Sequence, residues 1–290
     1  MLKLVIPKGS LEDQTLRLLE AADLRVRRGS PRDYHGTVED DRIDRVSLLR
    51  PQEIPRYVED GFFDLGITGR DWVAETGADV EILASLEYAK SGAGRVRIVL
   101  AVPVDHRAES AKDLPPGSRI STEYQNITER YFADLDVPVK VLWSYGATEA
   151  KVPEIVDAIV DVTETGTTLR AHGMKVIETL LESEVLLIAS KEATTDPDKK
   201  AAMDDITTLL LGALRAQGKV LIKLNVAEKM LKELLEYVPA MKAPTVSPLA
   251  ESGYAIETVV EKSQVNTLIP LLKSHGATDI LELPISKIVP

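Results

Sequence analysis

A repeated order of local patterns restricts the fold of this 290-residue chain more than any other feature. Three times before residue 75, an apolar run leads into a short polar turn containing Gly or Pro, and a helix-forming segment follows. The apolar runs are Leu2–Ile6, Arg42–Leu49 and Phe62–Ile67. Alternation of strand and helix in this way predicts an α/β fold built on a largely parallel sheet.

The turns after these runs contain charged side chains. Lys8 follows the first run, Arg50-Pro51 the second and Asp71 the third, with each helix predicted to begin at its turn. Ligands bind at the carboxyl ends of the strands in open α/β sheets. We therefore expect Lys8, Arg50 and Asp71 to face one cleft.

A second α/β segment begins near residue 95. Its predicted strands are Val96–Pro103, Ser118–Thr122 and Val139–Trp143, followed by two further strand-like runs, Met174–Ile177 and Glu184–Ser190. The last of these is predicted to return to the first segment. Because no Gly/Ser-rich or Pro-rich linker separates the segments, we expect two lobes, with the chain passing from one lobe to the other more than once.

Residues 157–173 combine an apolar strand, Ala158–Val162, with a hydroxyl-rich turn and a short helix. Backbone N–H groups at the helix start, threonine hydroxyls and a close backbone approach at Gly166 would together bind a phosphate. The acids Asp161 and Glu164 suit a ligand that also carries ribose hydroxyls or magnesium. The alternative is a strand-to-helix turn whose threonines only cap the helix.

The chain from about residue 213 to residue 290 has its own pattern. The predicted elements are strands Lys219–Asn225, Thr245–Leu249, Tyr254–Glu261 and Asp279–Ile285, and helices Ala227–Tyr237 and Ser263–Ser274. The order β-α-β-β-α-β is the ferredoxin-like arrangement. This part has no catalytic-looking cluster, which predicts a small separate module.

Composition and motifs exclude several functions. A net charge of −11 argues against nucleic-acid and anionic-membrane partners. The absence of cysteine, and of a signal-peptide pattern at the N-terminus, leads us to expect a cytoplasmic protein. Metal-ligand histidine spacing, acyl-transfer motifs, a dinucleotide fingerprint and a Walker-type loop are all missing from the sequence. A transferase acting on a phosphorylated, magnesium-bound sugar remains.

Five separated motifs resemble those of the ATP phosphoribosyltransferase family. They are Pro-Lys-Gly-Ser at 7–10, Leu-Arg-Pro-Gln-Glu-Ile-Pro at 49–55, Asp-Leu-Gly-Ile-Thr-Gly-Arg-Asp at 64–71, Gly-Ala-Thr-Glu at 146–149 and Val-Asp-Val-Thr-Glu-Thr-Gly-Thr-Thr-Leu at 160–169. Pro-Thr-Val-Ser-Pro-Leu at 244–249 resembles the long form of that family. The resemblance implies the first step of histidine biosynthesis, in which adenine N1 of ATP attacks C1 of phosphoribosyl pyrophosphate (PRPP) and pyrophosphate leaves.

The resemblance also implies a fold and its divisions. The expected catalytic core is two-lobed and periplasmic-binding-protein-like (type II), with a C-terminal ferredoxin-like (ACT-like) regulatory domain. We expect lobe I to comprise residues 1–95 and 185–212, lobe II residues 96–184 with the PRPP loop, and the regulatory domain residues 213–290.

Site residues follow from the same resemblance. Those expected to bind PRPP are Asp161, Thr163, Glu164, Thr165, Gly166, Thr167 and Thr168; those expected to bind ATP are Lys8, Arg50, Asp71, Arg95 and Tyr124; the expected catalytic residues are Glu149, Asp161 and Lys8. The stretch 90–95 departs from the family pattern Leu-Gly-Phe-Gly-Arg, which leaves the role of Arg95 open.

The implied partners are ATP, PRPP and L-histidine, the last as an inhibitor at Asn225, Thr245 and Ser247. The alternative for these three residues is that they only satisfy the backbone of a proline-bounded loop. Mg²⁺ is expected to arrive mainly on the pyrophosphate of PRPP, with no protein ligand assigned. A homo-oligomer, as a dimer and a hexamer, is also implied.

Three other functions remain open at this point. One is a two-lobed solute-binding protein without chemistry. Another is a phosphoribosyltransferase for a different base. The third is an inactive regulatory subunit, in which we would expect Gly166 or the neighbouring threonines to be lost, whereas all are present.

Overall fold

The computed structural model describes residues 1–88, 95–241 and 243–290. Two compact units divide the chain, Met1–Thr207 and Thr208–Pro290. The stretch 90–94, where the sequence departs from the family pattern, lies outside the described residues. No helix in the described part of the chain has the length and apolar character that a membrane crossing requires.

The first unit begins with alternating strands and helices. In order these are β1 (Leu2–Pro7), α1 (Glu12–Ala21), β2 (His35–Gly36), β3 (Ile43–Leu49), α2 (Ile54–Glu59), β4 (Leu65–Gly69), α3 (Arg70–Thr76) and β5 (Glu81–Leu86). Strand β1 pairs in parallel with β3 on one side and β4 on the other. The carboxyl ends of these three strands therefore meet at one edge of the sheet, as the sequence pattern predicts.

The chain then builds a second group of strands. Its elements are β6 (Arg95–Pro103), β7 (Ser118–Thr122), α4 (Gln125–Asp134), β8 (Val139–Trp143), β9 (Ala158–Thr163), α5 (Thr167–Ala171) and β10 (Met174–Ala189), followed by α6 (Lys191–Thr194) and α7 (Pro197–Ala216). The strand order is β10-β6-β9-β7-β8. Strand β9 is parallel to β7 but antiparallel to β6.

One strand is shared by both groups. The sequence predicts separate strands at Met174–Ile177 and Glu184–Ser190, but the structure has the single 16-residue strand β10. Residues Met174–Glu184 pair with β6, and Val185–Ala189 pair with β4 and β5. The β6 ladder contains two register shifts, between Val176 and Glu178 and between Thr179 and Leu181.

The expected largely parallel sheet is mixed instead. Strand β10 runs antiparallel to β4, β5 and β6, because the chain leaves the first group after β5 and comes back in the opposite direction. The pairing of β10 changes at Glu184–Val185. The lobe boundaries at 95/96 and 184/185 stay a prediction.

A large apolar cluster fills the second group and includes one residue from the first. Ile98, Leu100, Ile120 and Phe132 form this core, and the buried indole of Trp72 at the start of α3 packs among them. Helix α3 also contacts α4 through hydrogen bonds: the Glu75 carboxylate accepts the backbone N–H groups of Asn126 and Ile127. Apolar and polar contacts thus tie the two groups together on one side of the cleft described below.

The second unit is a four-stranded antiparallel sheet with two helices. Its elements are β11 (Lys219–Val226), α8 (Leu231–Leu235), β12 (Thr245–Pro248), β13 (Tyr254–Glu261), α9 (Val265–Ser274) and β14 (Ala277–Pro284). The order β12-β13-β11-β14 is that of a ferredoxin-like sheet. The helix predicted at Ala227–Tyr237 is shorter, because a 3₁₀ turn at Glu228–Met230 precedes it.

Candidate functional site

A cleft of about 530 Å³ lies between the two strand groups of the first unit. Ser10, Pro51, Gln52 and Asp71 line it from the first group. From the second group, the lining includes Tyr124, Glu149, Asp161, Thr163, Glu164, Thr165, Thr167 and Thr168. The cleft therefore gathers most of the residues predicted for the site.

The predicted anion loop follows directly from β9. Gly166 is buried at φ +72°, a conformation that favours glycine, and its N–H donates to the Thr163 hydroxyl at 2.8 Å. The Thr165 and Thr167 hydroxyls lie 2.9 Å apart. These contacts hold a tight turn that brings three threonine hydroxyls and the start of α5 to the cleft surface.

Arg170 is a cation beside this loop that the sequence analysis missed. Its guanidinium Nη2 donates to the Thr167 hydroxyl at 3.2 Å, one helical turn along α5. A Cβ on Gly166 would lie 3.1 Å from Arg170 Nη1, so the cation lies against the loop. The spacing Gly-x-x-x-Arg at a helix start was the signal available in the sequence.

The carboxylate of Asp161 lies in an unusual environment for an acid. Burial, with smaller contributions from the carboxylates of Glu149 and Glu123, raises the pKa of Asp161 to about 6, although the Val162 N–H and the Thr148 hydroxyl act to lower it. The Val162 N–H lies 2.7 Å from Asp161 Oδ1. Asp161 and Glu149 thus form a close acidic pair beside the anion loop, where they can accept hydroxyl donors or stabilise positive charge.

Lys8 and Arg50 occupy a second cavity of about 340 Å³, together with Glu12, Tyr34 and Glu53. The Lys8 ammonium lies 4.7 Å from the centre of the Tyr34 ring. Arg50 Nη1 would be 3.3 Å from a Cβ on Gly9, so both cations meet at the first turn. Ser10 and Pro51, the next residues along the chain from Gly9 and Arg50, line the main cleft. The turns after β1 and β3 therefore contribute to both cavities.

The Asp71 carboxylate connects its own helix α3 with β10 and with the residue before α4, at the wall of the cleft. It accepts the Ser183 hydroxyl at 2.6 Å and the Tyr124 hydroxyl at 2.9 Å. A Cβ at Gly69 would lie only 2.0 Å from Asp71 Oδ1, so glycine is needed for the carboxylate to fold back over the start of α3. The predicted pair of Asp71 and Tyr124 is therefore brought together, and both carboxylate oxygens are engaged by protein donors.

Gln52 is the second residue that the sequence analysis missed. Its Oε1 is buried and has no hydrogen-bond partner among the described residues, and the side chain lines the cleft. An acceptor in this state costs free energy unless a ligand donates to it. Arg95, by contrast, is exposed, lies 3.8 Å from Glu182 and lines neither cavity.

The part of the chain that the structure describes contains no ready-made binding site for a metal ion. No cluster of three or more histidine, aspartate or glutamate side chains there is arranged to hold an ion. Asp161 and Glu149 thus stand as a pair that belongs to no larger ion-binding cluster among the described residues.

In the second unit, Asn225, Thr245 and Ser247 lie on one face of the sheet. Asn225 and Ser247 flank Ala255 on adjacent strands, and Thr245 lies opposite Glu257. Their face is the one turned away from the buried side chains such as Leu224 and Ile256. The sheet thus brings Asn225 together with Thr245 and Ser247, which lie 20 and 22 positions further along the sequence.

Two family models cover most of the chain. ATP phosphoribosyltransferase matches residues 50–212, and HisG, C-terminal domain, matches residues 216–287. The ATP phosphoribosyltransferase of Pelotomaculum thermopropionicum is 45% identical over 292 residues, covering 100% of this chain and 99% of its own length. That of Desulforudis audaxviator is 46% identical, with the same coverage.

A solved structure also matches, the ATP phosphoribosyl transferase (HisG:HisZ) complex from Thermotoga maritima. It covers 72% of this chain and 96% of its own chain, with a TM-score of 0.61 and 24% identity. The predicted fold class is confirmed: a two-lobed, periplasmic-binding-protein-like α/β core with a C-terminal ferredoxin-like domain.

The predicted function is confirmed as well, since full-length relatives and the matching family model agree on one enzyme. Its substrates are ATP and PRPP, and its reaction is phosphoribosyl transfer. From the motifs, the fold and this similarity we conclude that the chain belongs to the ATP phosphoribosyltransferase family, the first enzyme of histidine biosynthesis.

Proposed function

We propose that the loop at residues 161–168 binds PRPP. The 5′-phosphate would lie against the N–H groups at the start of α5 and the hydroxyls of Thr165, Thr167 and Thr168, with Arg170 adding positive charge. Asp161 and Glu149 would accept the ribose hydroxyls. The observation that carries this proposal is the convergence of loop and paired acids on one wall of the cleft.

ATP would then occupy the opposite side of the cleft, formed by the first strand group. Lys8 and Arg50 in the adjoining cavity are the cations available there for the triphosphate. Gln52 offers an unpaired acceptor for a donor of the nucleotide. Asp71 and Tyr124 support this wall by their mutual hydrogen bond, and a direct contact of Arg95 with ATP stays a prediction.

The proposed reaction forms one bond and breaks one. The lone pair of adenine N1 attacks C1 of the ribose, and the C1–O bond breaks with its electron pair leaving on pyrophosphate. Positive charge develops on the sugar, beside Asp161 and Glu149, where fixed negative charge stabilises it. Because N1 already has a lone pair, the role of the protein is orientation and charge stabilisation, and no strong general base is needed.

We infer that Mg²⁺ enters as part of the substrate, bound to the pyrophosphate of PRPP. When bound there, it would neutralise the charge of the leaving group. The inference follows from the chemistry of the leaving group, because pyrophosphate oxygens are ligands that Mg²⁺ prefers. Chelator in excess over Mg²⁺ should abolish turnover, and full activity in chelator would contradict the inference.

The site assignment is tested by pyrophosphate release from ATP and PRPP, with free bases as competing acceptors. Asp161→Asn should lose about two or more orders of magnitude in kcat, since one fixed charge near a transition state contributes that much. Arg170→Met should raise the KM for PRPP and leave the KM for ATP unchanged. Release with a free base in place of ATP would favour transfer to another base, and binding without release would favour a solute receptor.

We propose that the second unit senses L-histidine and inhibits the enzyme. On the sheet face defined by Asn225, Thr245 and Ser247, the Lys223 ammonium pairs with the Glu257 carboxylate at 2.7 Å. The Asn225 amide donates to Asp279 Oδ2 at 3.0 Å. Cation, acids and hydroxyls together offer partners for the carboxylate, amino and imidazole groups of an amino acid.

Titration of histidine into the full-length enzyme tests this assignment. A double variant, Asn225→Ala with Thr245→Ala, should weaken inhibition at least about tenfold, which is within the usual range of allosteric coupling. Thr267→Ala on helix α9 is the control, because its hydroxyl donates to the Gln264 carbonyl of its own helix start and lies outside the sheet face. If an enzyme lacking residues 213–290 is still inhibited as strongly, histidine acts in the cleft.

We further infer a cytoplasmic homo-oligomer, as a dimer or a hexamer. A shared ligand site between copies of the second unit would link inhibition to assembly. Sedimentation with and without histidine would measure the assembly state. A monomer under both conditions would contradict this inference.

A further inference from the structure

Lys151, a partly buried lysine in the turn between β8 and β9, contacts buried hydroxyl groups that the function described above does not use. Lys151 Nζ lies 2.5 Å from Ser144 Oγ and 3.3 Å from Ser121 Oγ. Ser144 Oγ in turn lies 2.9 Å from Thr148 Oγ1. Ser121, Ser144 and Thr148 are all buried.

The chemistry of the groups sets the direction of these hydrogen bonds. An ammonium only donates, so Ser144 Oγ accepts from Lys151; the nearer acceptor for its single hydrogen is Thr148 Oγ1 at 2.9 Å, and the Gly146 carbonyl lies farther away at 3.3 Å. The Thr148 hydroxyl can then donate to Asp161, whose pKa it helps to lower. A chain of hydroxyls that ends on a cation is polarised by that cation.

The same chain holds the turn that contains Glu149. Ser144 Oγ also accepts the Gly146 N–H at 3.3 Å, and Ala147 has a left-handed φ of +48°. Because the backbone at 146–148 is tightly bent, the position of Glu149 depends on these bonds. Lys151 itself does not line the cleft, so its effect on a substrate must pass through other residues.

Asp161 is surrounded mostly by acids. The charged and titratable groups around it are Glu123 and Tyr124 before α4, Glu149 and Lys151 of the turn, Arg97 on β6 opposite Thr163, Glu164 in the loop, and Asp71 and Glu184 across the cleft. Burial and these acids favour the protonated carboxylic acid, which cannot stabilise positive charge on a ribose. A cation acting through the turn opposes that tendency.

We propose that Lys151 is a positioning residue for phosphoribosyl transfer, which through Ser144 and Thr148 turns a hydroxyl donor toward Asp161 and holds Glu149 at the cleft. This inference rests on the proposed binding of PRPP beside Asp161. Loss of Lys151 leaves Ser144 and Thr148 without a fixed direction, and Asp161 loses a hydrogen bond that favours its ionised form.

The test compares full-length Lys151→Met, Lys151→Arg and wild type. The kcat/KM for PRPP is measured between about pH 5 and pH 9, where an essential carboxylate gives an acidic limb. In Lys151→Met the midpoint of that limb should rise by about half a unit to one unit, because a supporting cation and a hydrogen bond are lost. Lys151→Arg should restore most of the wild-type midpoint, and the KM for ATP should stay unchanged.

Two further variants distinguish a positioning role from a structural one. Ser144→Ala should shift the midpoint of the acidic limb by the same amount as Lys151→Met. The double variant should show no larger shift than either single variant, because both residues act through one chain of hydrogen bonds. Lys175→Met is the matched control: Lys175 is a partly buried lysine of the same strand group, paired with the exposed Glu109 and absent from the cleft lining. Its acidic limb should equal that of wild type.

The outcomes separate this inference from the proposed site. If Asp161→Asn keeps wild-type activity, PRPP does not bind as proposed and both fail together. If Asp161→Asn is inactive but Lys151→Met melts earlier with an unchanged limb, Lys151 is only structural and the inference alone is overturned. Substrate ionisation contributes equally to every variant, so only differences in midpoint are interpreted.

Discussion

The Tyr124 hydroxyl lies 2.9 Å from the carboxylate of Asp71, and both side chains are buried. Asp71 belongs to α3 and Tyr124 precedes α4, so this bond joins the two strand groups. Burial raises the pKa of Asp71, and burial with the nearby Asp71 charge raises that of Tyr124. The Tyr124 ring also stacks on Trp72, with ring centres 4.6 Å apart.

Tyr124→Phe should therefore destabilise the first unit. The ring stack is kept, but a buried carboxylate loses one of its donors, which costs about 1–3 kcal/mol. Thermal unfolding of the variant measures this loss. Tyr34→Phe is the control, because Tyr34 is exposed and its ring contact with Lys8 is kept; equal stability of both variants would contradict the importance of the bond.

Gly166→Ala should reduce turnover with PRPP by more than about tenfold, since misplaced donors weaken orientation of the reacting atoms. The added Cβ would lie 3.1 Å from Arg170 Nη1 and would be held at φ +72°. Gly173→Ala is the control for backbone strain, because Gly173 has a similar φ of +70°. A Cβ at Gly173 would have no described atom within 4 Å, so this variant tests the strain without a new contact. Both variants should lose about 1 kcal/mol of stability from the left-handed backbone, but only Gly166→Ala should lose activity.

Asp161→Asn should make the fold more stable while it inactivates the enzyme. The pKa of Asp161 is raised to about 6 in the folded state, so at neutral pH the ionised carboxylate opposes folding. Its removal should raise the free energy of unfolding by about 1–3 kcal/mol at pH 7. The free energy of unfolding of the wild type should rise as the pH falls from about 6 toward about 4, the pKa of Asp161 in the unfolded chain. In this range the folded state binds more protons than the unfolded state, so protonation favours folding. A less stable Asn variant at pH 7 would contradict this assignment.

The wild-type enzyme should lose activity over the same pH range. The ionised form of Asp161 is the active one, so kcat/KM for PRPP should fall as the pH drops below about 6. Activity that stays constant to well below this value would show that ionised Asp161 is not required.

Gln52→Leu should separate affinity from stability. Its Oε1 is buried without a partner among the described residues, so replacing the amide by an apolar group of similar size should cost almost nothing or stabilise the fold. If the acceptor serves ATP, the KM for ATP should rise about tenfold, as expected for one lost hydrogen bond. Gln125→Leu, outside the cleft lining, should leave the KM for ATP unchanged.

Local patterns were enough to predict most strands and the ferredoxin-like unit, because apolar periodicity and turn residues act over a few positions; β2 and β5 were not predicted. The single strand β10 was missed, because Glu178, Glu182 and Glu184 interrupt its apolar pattern where one face of the strand is less buried. Gln52, Arg170 and Lys151, which the proposals above add to the site, were not singled out from the sequence either. Their significance depends on contacts across turns or on an unpaired atom, and neither leaves a periodic signal in the sequence.

The shared strand β10 has a consequence for the newly made chain. Its residues Val185–Ala189 lie between β4 and β5, yet they are synthesised about 100 residues after β5 ends at Leu86. At ordinary translation rates, the ribosome needs roughly 5–20 seconds to add that length. During this delay β4 and β5 expose unpaired edges, which are sites for aggregation. Neither strand group can complete its hydrogen bonding until β10 has emerged from the ribosome. A chain that ends before residue 185 therefore cannot form the complete first strand group.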